Sequence, residues 1–295
     1  MPKIRVQKIP LKVIQPNLSP TISVCIPTYC GAAHLGAAIE SVLNQDFTDY
    51  ELIIIDDNNS PDQTDEIVSS YQDHRIRYIK NMANLGPEGN WNKCLAEAKG
   101  KYFKLLPHDD TLASDCLSRQ VEILDNDVNQ SIALVFCPRH IIDCNGKIIT
   151  TRSYPAGKEG VINGYEAIKK SIRLGTNLIG EPGAVMFRKS LAEEVGFFDG
   201  SISYIIDLDY WFRLLLNGNA YYIAQPLASF RVASGSWSID IGIRQSDDFR
   251  LFIDRCAQNT KFLLTRVDTL LGMLMAKINN YLRLLFYKFY LYKKN

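Results

Sequence analysis

The stretch TISVCIPTYCGAAHLGAAIESVLNQ, residues 21–45, decides the fold. Its first nine residues are mostly apolar, which is typical of a buried strand, and they end in Pro27, Thr28 and Tyr29. The residues that follow carry apolar side chains at helical spacing. A second apolar run, YELIIIDDNNSPDQT at residues 50–64, then closes on acids and turn residues. This order of strand, helix and strand predicts one unit of a parallel sheet.

The alternation continues along the first half of the chain. RIRYIKN (75–81) predicts a third strand, NLGPEGNWNKCLAEAKG (84–100) a turn and a helix capped by Gly100, and YFKLLPHDD (102–110) a fourth strand. This pattern favours an α/β fold with a mostly parallel, Rossmann-like sheet and helices on both faces. Ligands of such sheets bind beyond the carboxyl ends of the strands, where PTY, DDNN and HDD stand here.

The second half of the chain is less regular. Residues 131–154 predict a hairpin around Asn145-Gly146, which is a favourable two-residue turn. Residues 203–233 predict a helix, a turn at Gly218 and a strand. From residue 241 onward we expect a mostly helical C-terminal tail.

Composition excludes some classes of protein. In a chain of 295 residues, 46% hydrophobic and 22% charged side chains provide for one large core or two sub-domains in close contact. The 33 basic and 32 acidic residues balance, so no overall field attracts nucleic acid. We therefore expect no nucleic-acid partner.

The seven cysteines are scattered, odd in number and free of any Cys-x-x-Cys pair. We expect reduced, mostly buried thiols in a cytoplasmic protein. The first 23 residues carry prolines and lysines where a signal peptide needs an apolar core. No apolar run reaches membrane-spanning length, so we expect neither secretion nor a transmembrane helix.

Two adjacent carboxylates, Asp109 and Asp110, follow the fourth strand. Their mutual repulsion is usually tolerated where a cation, a hydroxyl or a basic side chain lies between them. The alternative is a solvated turn or a helix N-terminus, because DDTLASDCLSRQVEIL could begin a helix that Asp caps. The residues alone leave both explanations open.

The order of the motifs resembles the family 2 glycosyltransferases, enzymes of the GT-A fold. The segments that carry this resemblance lie within residues 20–240 and are SVCIPTY, ELIIIDDNNSPDQT, NLGPEGNWNKCLAEAKGKYFKLLPHDD, GAVMFRK, DLDYWFRLL and FRVASGSWS. It implies a nucleotide-sugar-binding half at 20–130, an acceptor-binding and catalytic-base half of the same domain at 131–240, and a helical extension at 241–295. It also implies an inverting transfer of a hexosyl or related group from a UDP-, GDP- or dTDP-sugar to a hydroxyl acceptor. The acceptor would be a sugar or a lipid-linked sugar, in the synthesis of a surface polysaccharide or glycolipid.

The resemblance assigns the first three strand ends to the nucleotide. Pro27, Thr28 and Tyr29 would line the base pocket, and Asp57 would accept a hydrogen bond from the base while Asp56 supports the turn. A Tyr or Pro wall offers the base an apolar face, and a carboxylate can accept from a base N–H or from ribose hydroxyls. SPDQT after these acids also suits a turn and a helix cap, and the two roles are compatible.

The resemblance also implies contacts to the diphosphate. Lys93 would lie near the phosphates, Asp109 would bind the ribose, and Asp110 would bind a Mn²⁺ or Mg²⁺ ion on the diphosphate. Arg231 fits a further phosphate contact. Ala233 stands where relatives carry a His, so the chain has one candidate metal ligand fewer and its dependence on a metal stays open.

The second half would supply the chemistry at the acceptor. An inverting transfer needs a carboxylate that takes the proton from the attacking hydroxyl. By position Asp207 matches the family's catalytic base, and Glu181 is the candidate contact to an acceptor hydroxyl. A helix N-cap is the alternative role for Asp207. Asp209 and Arg213 are expected to pair on one helix face.

The tail has two open interpretations. Residues 266–295 hold six basic residues, one acid and many aromatics, a composition that suits a helix lying on the inner face of a membrane. Lys277 and Lys288 share one helix face and Arg283 and Lys294 another, so the basic charge is spread over two faces. This weakens the membrane interpretation, and a helix that packs on the domain or on a partner chain explains the composition equally well.

Other functions remain as alternatives. A degenerate protein of the same fold would bind nucleotide without turnover, because several of the family's acids and its His are missing. IIIDDN also resembles the acidic pocket of a receiver-like signalling domain, although such domains are much shorter. A nucleotidyltransferase would show a Gly-rich phosphate loop, which PTYCGAAHLG matches poorly.

Overall fold

The structure is a computed structural model that describes residues 19–58, 60–155, 157–232 and 244–290, with side chains as far as residue 285. In chain order its strands are β1 (Ile22–Thr28), β2 (Tyr50–Asp56), β3 (Ile76–Lys80), β4 (Tyr102–Leu105), β5 (Thr111–Leu112), β6 (Ile132–Phe136), β7 (Arg139–Ile142), β8 (Ile148–Arg152), β9 (Gly160–Ile162), β10 (Val185–Arg188), β11 (Asn219–Tyr222) and β12 (Ala228–Arg231). The helices are α1 (Ala32–Leu43), α2 (Thr64–Ser69), α3 (Gly86–Glu97), α4 (Cys116–Asn126), α5 (Gly164–Leu174), α6 (Lys189–Val195), α7 (Ile206–Leu215), α8 (Gln245–Gln258) and α9 (Arg266–Tyr290). Short 3-10 turns precede β10 and α7.

The main sheet has eight strands in the order β3-β2-β1-β4-β10-β6-β11-β9. The first four are parallel, β6 and β11 are parallel, and β10 and β9 run antiparallel to their neighbours. Thr28 pairs with Asp56 and Cys25 with Leu105, so the carboxyl ends of β1, β2 and β4 meet at one edge. The predicted mostly parallel GT-A sheet is confirmed.

Both faces of this sheet are buried. Along β1, Val24 and Ile26 belong to one apolar cluster and Cys25 to the other, because successive side chains of a strand point to opposite faces. Helix α1 contributes Leu35 and Val42 to the first cluster, which covers one face of the sheet. The second cluster includes residues of α3, α5 and α7. Helices on both faces explain why these strands are continuously apolar.

A second sheet has the order β5-β12-β7-β8. Strands β7 and β8 form the predicted antiparallel hairpin, and Gly146 has φ +80°, which a glycine adopts without strain. Two predictions were too simple. The predicted hairpin segment also contains β6, which belongs to the main sheet, and the predicted final strand divides into β11 and β12, one in each sheet. Pro226 lies between those two strands, and proline lacks the N–H that a continuous strand would use.

The prediction that Gly100 caps α3 was wrong. The helix ends at Glu97, and Ala98 already has extended backbone. Gly100 instead allows a close approach to β1, because a Cβ at this position would lie 2.4 Å from the backbone nitrogen of Ser23. Its N–H donates to Ser23 Oγ at 2.8 Å.

The C-terminal extension is helical where the structure describes it, as predicted. Helix α9 packs on α5 and α8, and Asn279 Nδ2 donates to the carbonyl of Leu174 at 2.6 Å. At the end of α5, Gly175 has φ +57°, and a Cβ there would lie 2.3 Å from the backbone nitrogen of Ala276. No helix of the described residues is both long enough and apolar enough to cross a bilayer.

Candidate active site

A cavity of about 710 Å³ opens at the carboxyl edge of the main sheet. Loops after β1, β2 and β4 form one wall, and the start of α7 with parts of α8 and α9 forms the other. Seven of the ten predicted site residues line it: Pro27, Thr28, Tyr29, Asp57, Asp109, Glu181 and Asp207. The other three, Lys93, Asp110 and Arg231, are not among its lining residues.

The end of β1 places a polar group at the cavity. The hydroxyl oxygen of Thr28 is buried and has no hydrogen-bond partner among the described residues. Tyr29 is exposed beside it. Gly31 makes room for His108, since a Cβ on Gly31 would lie 2.3 Å from Thr28 Oγ1 and 2.9 Å from the His108 ring. This wall therefore combines an apolar ring surface with an unpaired hydroxyl.

Asp56 supports the turn after β2, as expected. Its carboxylate accepts from the N–H of Ser60 at 2.9 Å and from its hydroxyl at 2.6 Å. The hydroxyl of Tyr78 donates to the same carboxylate at 3.1 Å. Burial, followed by the charge of Asp56, raises the pKa of Tyr78 well above its usual value, so the phenol remains a donor.

Asp57 holds the start of α3. Its carboxylate accepts from the backbone N–H groups of Leu85 and Gly86, both at 2.9 Å, and from Asn81 Nδ2 at 3.0 Å. Gly86 has φ +70°, which lets the chain turn sharply into the helix. The carboxylate of Asp57 thus organises the loop that lines the cavity, and its contact with a base stays a prediction.

The structure does not bring Lys93 to the cavity. On α3 its ammonium pairs with Glu97 Oε1 at 2.9 Å, one helical turn later. Glu97 also pairs with Arg77 at 2.6 Å. The expected phosphate contact of Lys93 therefore has no support from the structure, which gives it a surface ion-pair role.

The two adjacent carboxylates separate. Asp109 lines the cavity, whereas Asp110 is 1% exposed and accepts from the backbone N–H of Arg231 at 3.0 Å. Burial, together with the charge of Asp109, raises the pKa of Asp110. Thr111 then begins β5, and α4 starts only at Cys116, so the helix N-terminus explanation was wrong. The position of Asp110 does not fit the predicted metal ligand, and Asp109 is the carboxylate that faces the cavity.

Arg231 likewise serves the fold. Its Nε donates to the carbonyl of Asp109 at 2.8 Å, and Nη1 donates to the carbonyls of Asp143 and Cys144 at 2.9 and 3.2 Å. The side chain is 5% exposed. It ties the turn after β4 to the β7–β8 hairpin, so the structure does not support its predicted phosphate contact. Ala233, the position of the family's His, lies outside the described residues.

Asp207 lies in the first turn of α7, with Ile205 at the N-cap, so the capping alternative was wrong. One carboxylate oxygen accepts from the N–H of Leu208 at 2.7 Å and the other from Asn177 Nδ2 at 3.0 Å. Burial and then the charge of Glu181 raise the pKa of Asp207 to about 7. A carboxylate that titrates near neutral pH in a cavity is suited to take and release a proton.

Glu181 remains ionised beside it. Arg139 Nε donates to Glu181 Oε2 at 2.5 Å, and Arg152 Nη1 lies 3.7 Å from Oε1. Burial acts to raise the pKa of Glu181, but the charges of Arg139 and Arg152 outweigh it and hold the pKa below its usual value. Because Glu181 keeps its charge, it sustains the raised pKa of Asp207.

Sequence reasoning missed several cavity residues. They come from five separate segments of the chain and include Arg152, Asn177, Tyr204, Phe249 and Arg283. Asn177 and Tyr204 precede elements that were identified, but their side-chain directions depend on packing. Arg283 was placed in a tail whose packing was left open, and its periodic position on α9 gave no sign of the cavity. Asp209 and Arg213 do pair as expected, at 2.8 Å.

The residues present fit a divalent cation only in part. The described residues contain no group of three or more His, Cys, Asp or Glu side chains that could hold a metal. Magnesium is commonly bound by one or two carboxylates together with substrate phosphates and water. Asp109 fits that pattern as one carboxylate ligand.

The architecture is that of the GT-A glycosyltransferase fold. The structure is similar to that of S. aureus TarS 1–349 in complex with UDP-GlcNAc, with a TM-score of 0.66 and 17% identity over 84% of this chain and 69% of that chain. It is also similar to the mannosyltransferase PcManGT from Pyrobaculum calidifontis in complex with GDP-Man and Mn²⁺, with a TM-score of 0.57 and 15% identity over 90% and 71% of the two chains.

The family follows from sequence. Residues 23–196 match Glycosyl transferase family 2, and the chain belongs to this family, as the motifs predicted. It is 30% identical to an uncharacterized glycosyltransferase of Methanocaldococcus jannaschii, over 72% of this chain and 71% of that protein. It is 36% identical to the GalNAc(5)-diNAcBac-PP-undecaprenol beta-1,3-glucosyltransferase of Campylobacter jejuni, over 60% and 55%. The chain spans 66%, 66% and 64% of the length of three other curated relatives that it matches.

Proposed function

We propose that this protein is a cytoplasmic inverting glycosyltransferase that moves a hexosyl or related group from a nucleoside-diphosphate sugar to a hydroxyl of a sugar or lipid-linked acceptor. Synthesis of a surface polysaccharide or glycolipid is the setting in which such a transfer is useful. The observation that carries the proposal is the position of Asp207, whose pKa lies at about 7, across one cavity from Asp57 and Asp109.

Asp207 is the general base of the proposed reaction. A carboxylate oxygen of Asp207 takes the proton of the acceptor hydroxyl while the hydroxyl oxygen forms a bond to the anomeric carbon. The bond from that carbon to the diphosphate breaks on the opposite face, and its electron pair leaves with the nucleoside diphosphate. Asn177 and the N–H of Leu208 each occupy one lone pair of the Asp207 carboxylate, so they orient it and leave lone pairs for the proton.

The first wall of the cavity would hold the donor. Pro27, Tyr29 and the unpaired hydroxyl of Thr28 line the cavity and would face the base, and Asp57 fixes the loop at the start of α3. Asp109 is positioned to bind ribose or cation. A Mn²⁺ or Mg²⁺ ion held there would neutralise charge on the leaving diphosphate.

Calorimetric titration with UDP, GDP and dTDP, with and without Mn²⁺, tests this assignment. We expect one nucleotide to bind, and Asp109→Asn to weaken its Mn²⁺-dependent binding by about tenfold, since one charged ligand is worth about 1.5–3 kcal/mol. Lys93→Ala is the matched control, because Lys93 lies outside the cavity and should leave binding unchanged. Failure of all three nucleotides to bind would overturn the proposal. Binding without transfer to any acceptor would favour the degenerate alternative.

The acid limb of the pH profile should depend on Glu181. With the pKa of Asp207 at about 7, the ionised base falls about tenfold per pH unit below that value, and kcat/KM should fall with it. Glu181→Gln removes the negative charge that helps to raise this pKa and leaves Arg139 in place, so the limb should move to lower pH. Glu193→Gln, on the exposed face of α6, is the control. An unshifted limb in Glu181→Gln would contradict this electrostatic coupling.

Helix α9 would hold the enzyme on an anionic lipid surface. Its exposed apolar residues recur at helical spacing and form one face, made of Val267, Leu270, Leu271, Leu274, Ile278, Tyr281 and Leu282. Arg266 and Lys277 are exposed on the same helix. The acid Asp268 is fully buried and pairs with Arg173, and Arg283 lines the cavity, so the exposed charge of the described part of α9 is basic. Basic charge beside an apolar face complements anionic lipid.

Co-sedimentation with phosphatidylglycerol and phosphatidylcholine vesicles tests this surface. We expect binding to the anionic vesicles that weakens at high salt. Leu270→Glu/Leu274→Glu should weaken this binding at least tenfold, because charge replaces the exposed apolar surface that would be buried in the lipid. Val128→Glu changes an exposed apolar residue on another surface and is the control. The oligomeric state is measured by light scattering. A dimer in wild type that dissociates in the α9 variant would assign this face to a second copy and overturn the membrane proposal.

A further inference from the structure

The wall of the cavity nearest Asp207 is rich in guanidinium groups. Arg152 ends β8, and Arg283 reaches the same cavity from α9. The guanidinium carbon of Arg283 lies 5.5 Å from the ring centroid of Tyr204, and Arg152 Nη2 donates to Thr176 Oγ1 at 3.3 Å. These four side chains come from four separate segments and line one cavity.

Positive charge on this wall exceeds the negative charge that the fold supplies. Arg139 is buried and satisfied by Glu181 at 2.5 Å. Arg152 lies farther from the same carboxylate, at 3.7 Å. Arg283 forms no ion pair with any carboxylate that the structure describes. Arg139 and Arg152 therefore share one ionised carboxylate, and Arg283 adds a third positive charge near Arg152, while Asp207 is only partly ionised at neutral pH.

This excess of charge has a cost. Burial and then the charges of Arg139 and, more weakly, Arg283 lower the pKa of Arg152, which shows that the cluster disfavours its own cations. The stacking of Arg283 on Tyr204 offsets part of the cost. A purely structural arginine is usually paired or exposed on the surface. Arg283 is only partly exposed and has no carboxylate partner among the described residues, and Arg152, whose pair with Glu181 is long at 3.7 Å, faces the same cavity, which is large enough for a substrate.

We propose that Arg152 and Arg283 bind an anionic group, a phosphate or carboxylate, that is carried by the acceptor. This inference rests on the proposed function and names the chemical class of its acceptor. A guanidinium pair presents several N–H donors in fixed planes, which suits the oxygens of phosphate and carboxylate. Tyr204 adds a hydroxyl beside them, because burial raises its pKa and keeps it protonated.

Position favours the acceptor over the donor as the source of the anion. Arg152 is linked to Glu181, which acts on Asp207, and Arg283 stacks on Tyr204 in the turn directly before α7. Both arginines therefore lie on the side of the proposed general base. The donor nucleotide is assigned to the opposite wall, at the ends of β1, β2 and β4. A donor with a uronic acid could bring the same chemistry to this wall, and the experiment separates the two sources.

The test uses the whole protein with its nucleotide site filled by the nucleotide that binds. Phenyl phosphate is then titrated by calorimetry, with benzyl alcohol as the uncharged comparison. We expect phenyl phosphate to bind and benzyl alcohol not to bind, and Arg283→Gln to weaken phenyl phosphate binding at least tenfold, since a charge-assisted contact is worth about 1.5–3 kcal/mol. Arg152→Gln should act in the same direction. Arg250→Gln, on α8 and outside the cavity, is the control and should change nothing.

The outcomes separate this inference from the proposed function. If no nucleotide binds, the proposed function fails and this inference fails with it. If nucleotide binds normally but phenyl phosphate does not, or binds equally to Arg283→Gln, only the anion site is overturned. If Arg283→Gln weakens a nucleoside-diphosphate glucuronate but not the matching glucose donor, and phenyl phosphate fails to bind, the anion belongs to the donor and the acceptor assignment is wrong. Melting temperatures of the arginine variants within a few degrees of wild type exclude misfolding.

Discussion

Asp207→Asn should lower kcat for sugar transfer by about 10²- to 10⁴-fold, the usual contribution of a general base. Asparagine keeps the shape of the side chain and can still accept from Asn177, but it cannot take the proton of the acceptor hydroxyl. The pH profile of the remaining transfer should also lose its acid limb, because the variant lacks the group whose pKa is about 7. Single-turnover transfer to a defined acceptor, followed from pH 5 to 9, measures both effects.

The same substitution has an informative effect on stability. Since the fold raises the pKa of Asp207, the stability that this group contributes is present at low pH and is lost as pH rises through about 7. Asp207→Asn removes that loss, so its melting temperature at pH 8 should not fall below that of wild type. Nucleotide affinity should also be unchanged, because Asp207 lies on the acceptor side. A variant with reduced nucleotide affinity and normal kcat would contradict the assignment of Asp207 as the base.

The sheet could be predicted because its signals are local. The apolar runs of β1 and β2 are long enough to be buried on both faces, and helical spacing separates them. Neighbouring parallel strands have their carboxyl ends at the same edge of a sheet. The sequence alone therefore places Thr28 and Asp57 at one edge, where the structure has them. The candidate base Asp207 came from the family resemblance, because the spacing of apolar residues around it predicts only the start of a helix.

The positions that the sequence did not show have mostly long-range causes. Asp109 and Asp110 are adjacent, and the one that faces the cavity is decided by the N–H of Arg231, 121 residues away in sequence. The guanidinium of Arg231 is engaged separately, by the carbonyls of Asp109, Asp143 and Cys144. Lys93 differs, because its partner Glu97 is one helical turn away, and the i to i+4 spacing was already visible in the sequence. Arg283 became a cavity residue only because α9 packs on α5 and α8.

The largest expected effect on stability lies far from the cavity. Arg188 ends β10 with a side chain that is 7% exposed, and its Nη2 lies 3.0 Å from Asp127 Oδ2. The guanidinium also donates to the carbonyls of Leu124 and Ile132 at 2.8 and 3.2 Å, so it joins β10 to α4 and β6. Removing one partner of a buried pair leaves the other charge uncompensated. Arg188→Met should therefore lower the free energy of unfolding by about 3–5 kcal/mol, measured by urea denaturation at pH 7.

Lys189→Met is the matched control for this prediction. Lys189 is the next residue in the chain, and it pairs with the exposed Glu193 at 3.2 Å, so its loss should cost only about 0.3–0.5 kcal/mol. Burial acts to raise the pKa of Asp127, but the N–H of Ile132 and the charge of Arg188 hold it below its usual value. The stability from Asp127 is thus present at neutral pH and lost as pH falls below its usual pKa of about 3.9. Without Arg188 the pKa of Asp127 should return toward its usual value, so the variant should lose less stability than wild type as pH falls, and equal costs for the two substitutions at pH 7 would contradict the buried-pair explanation.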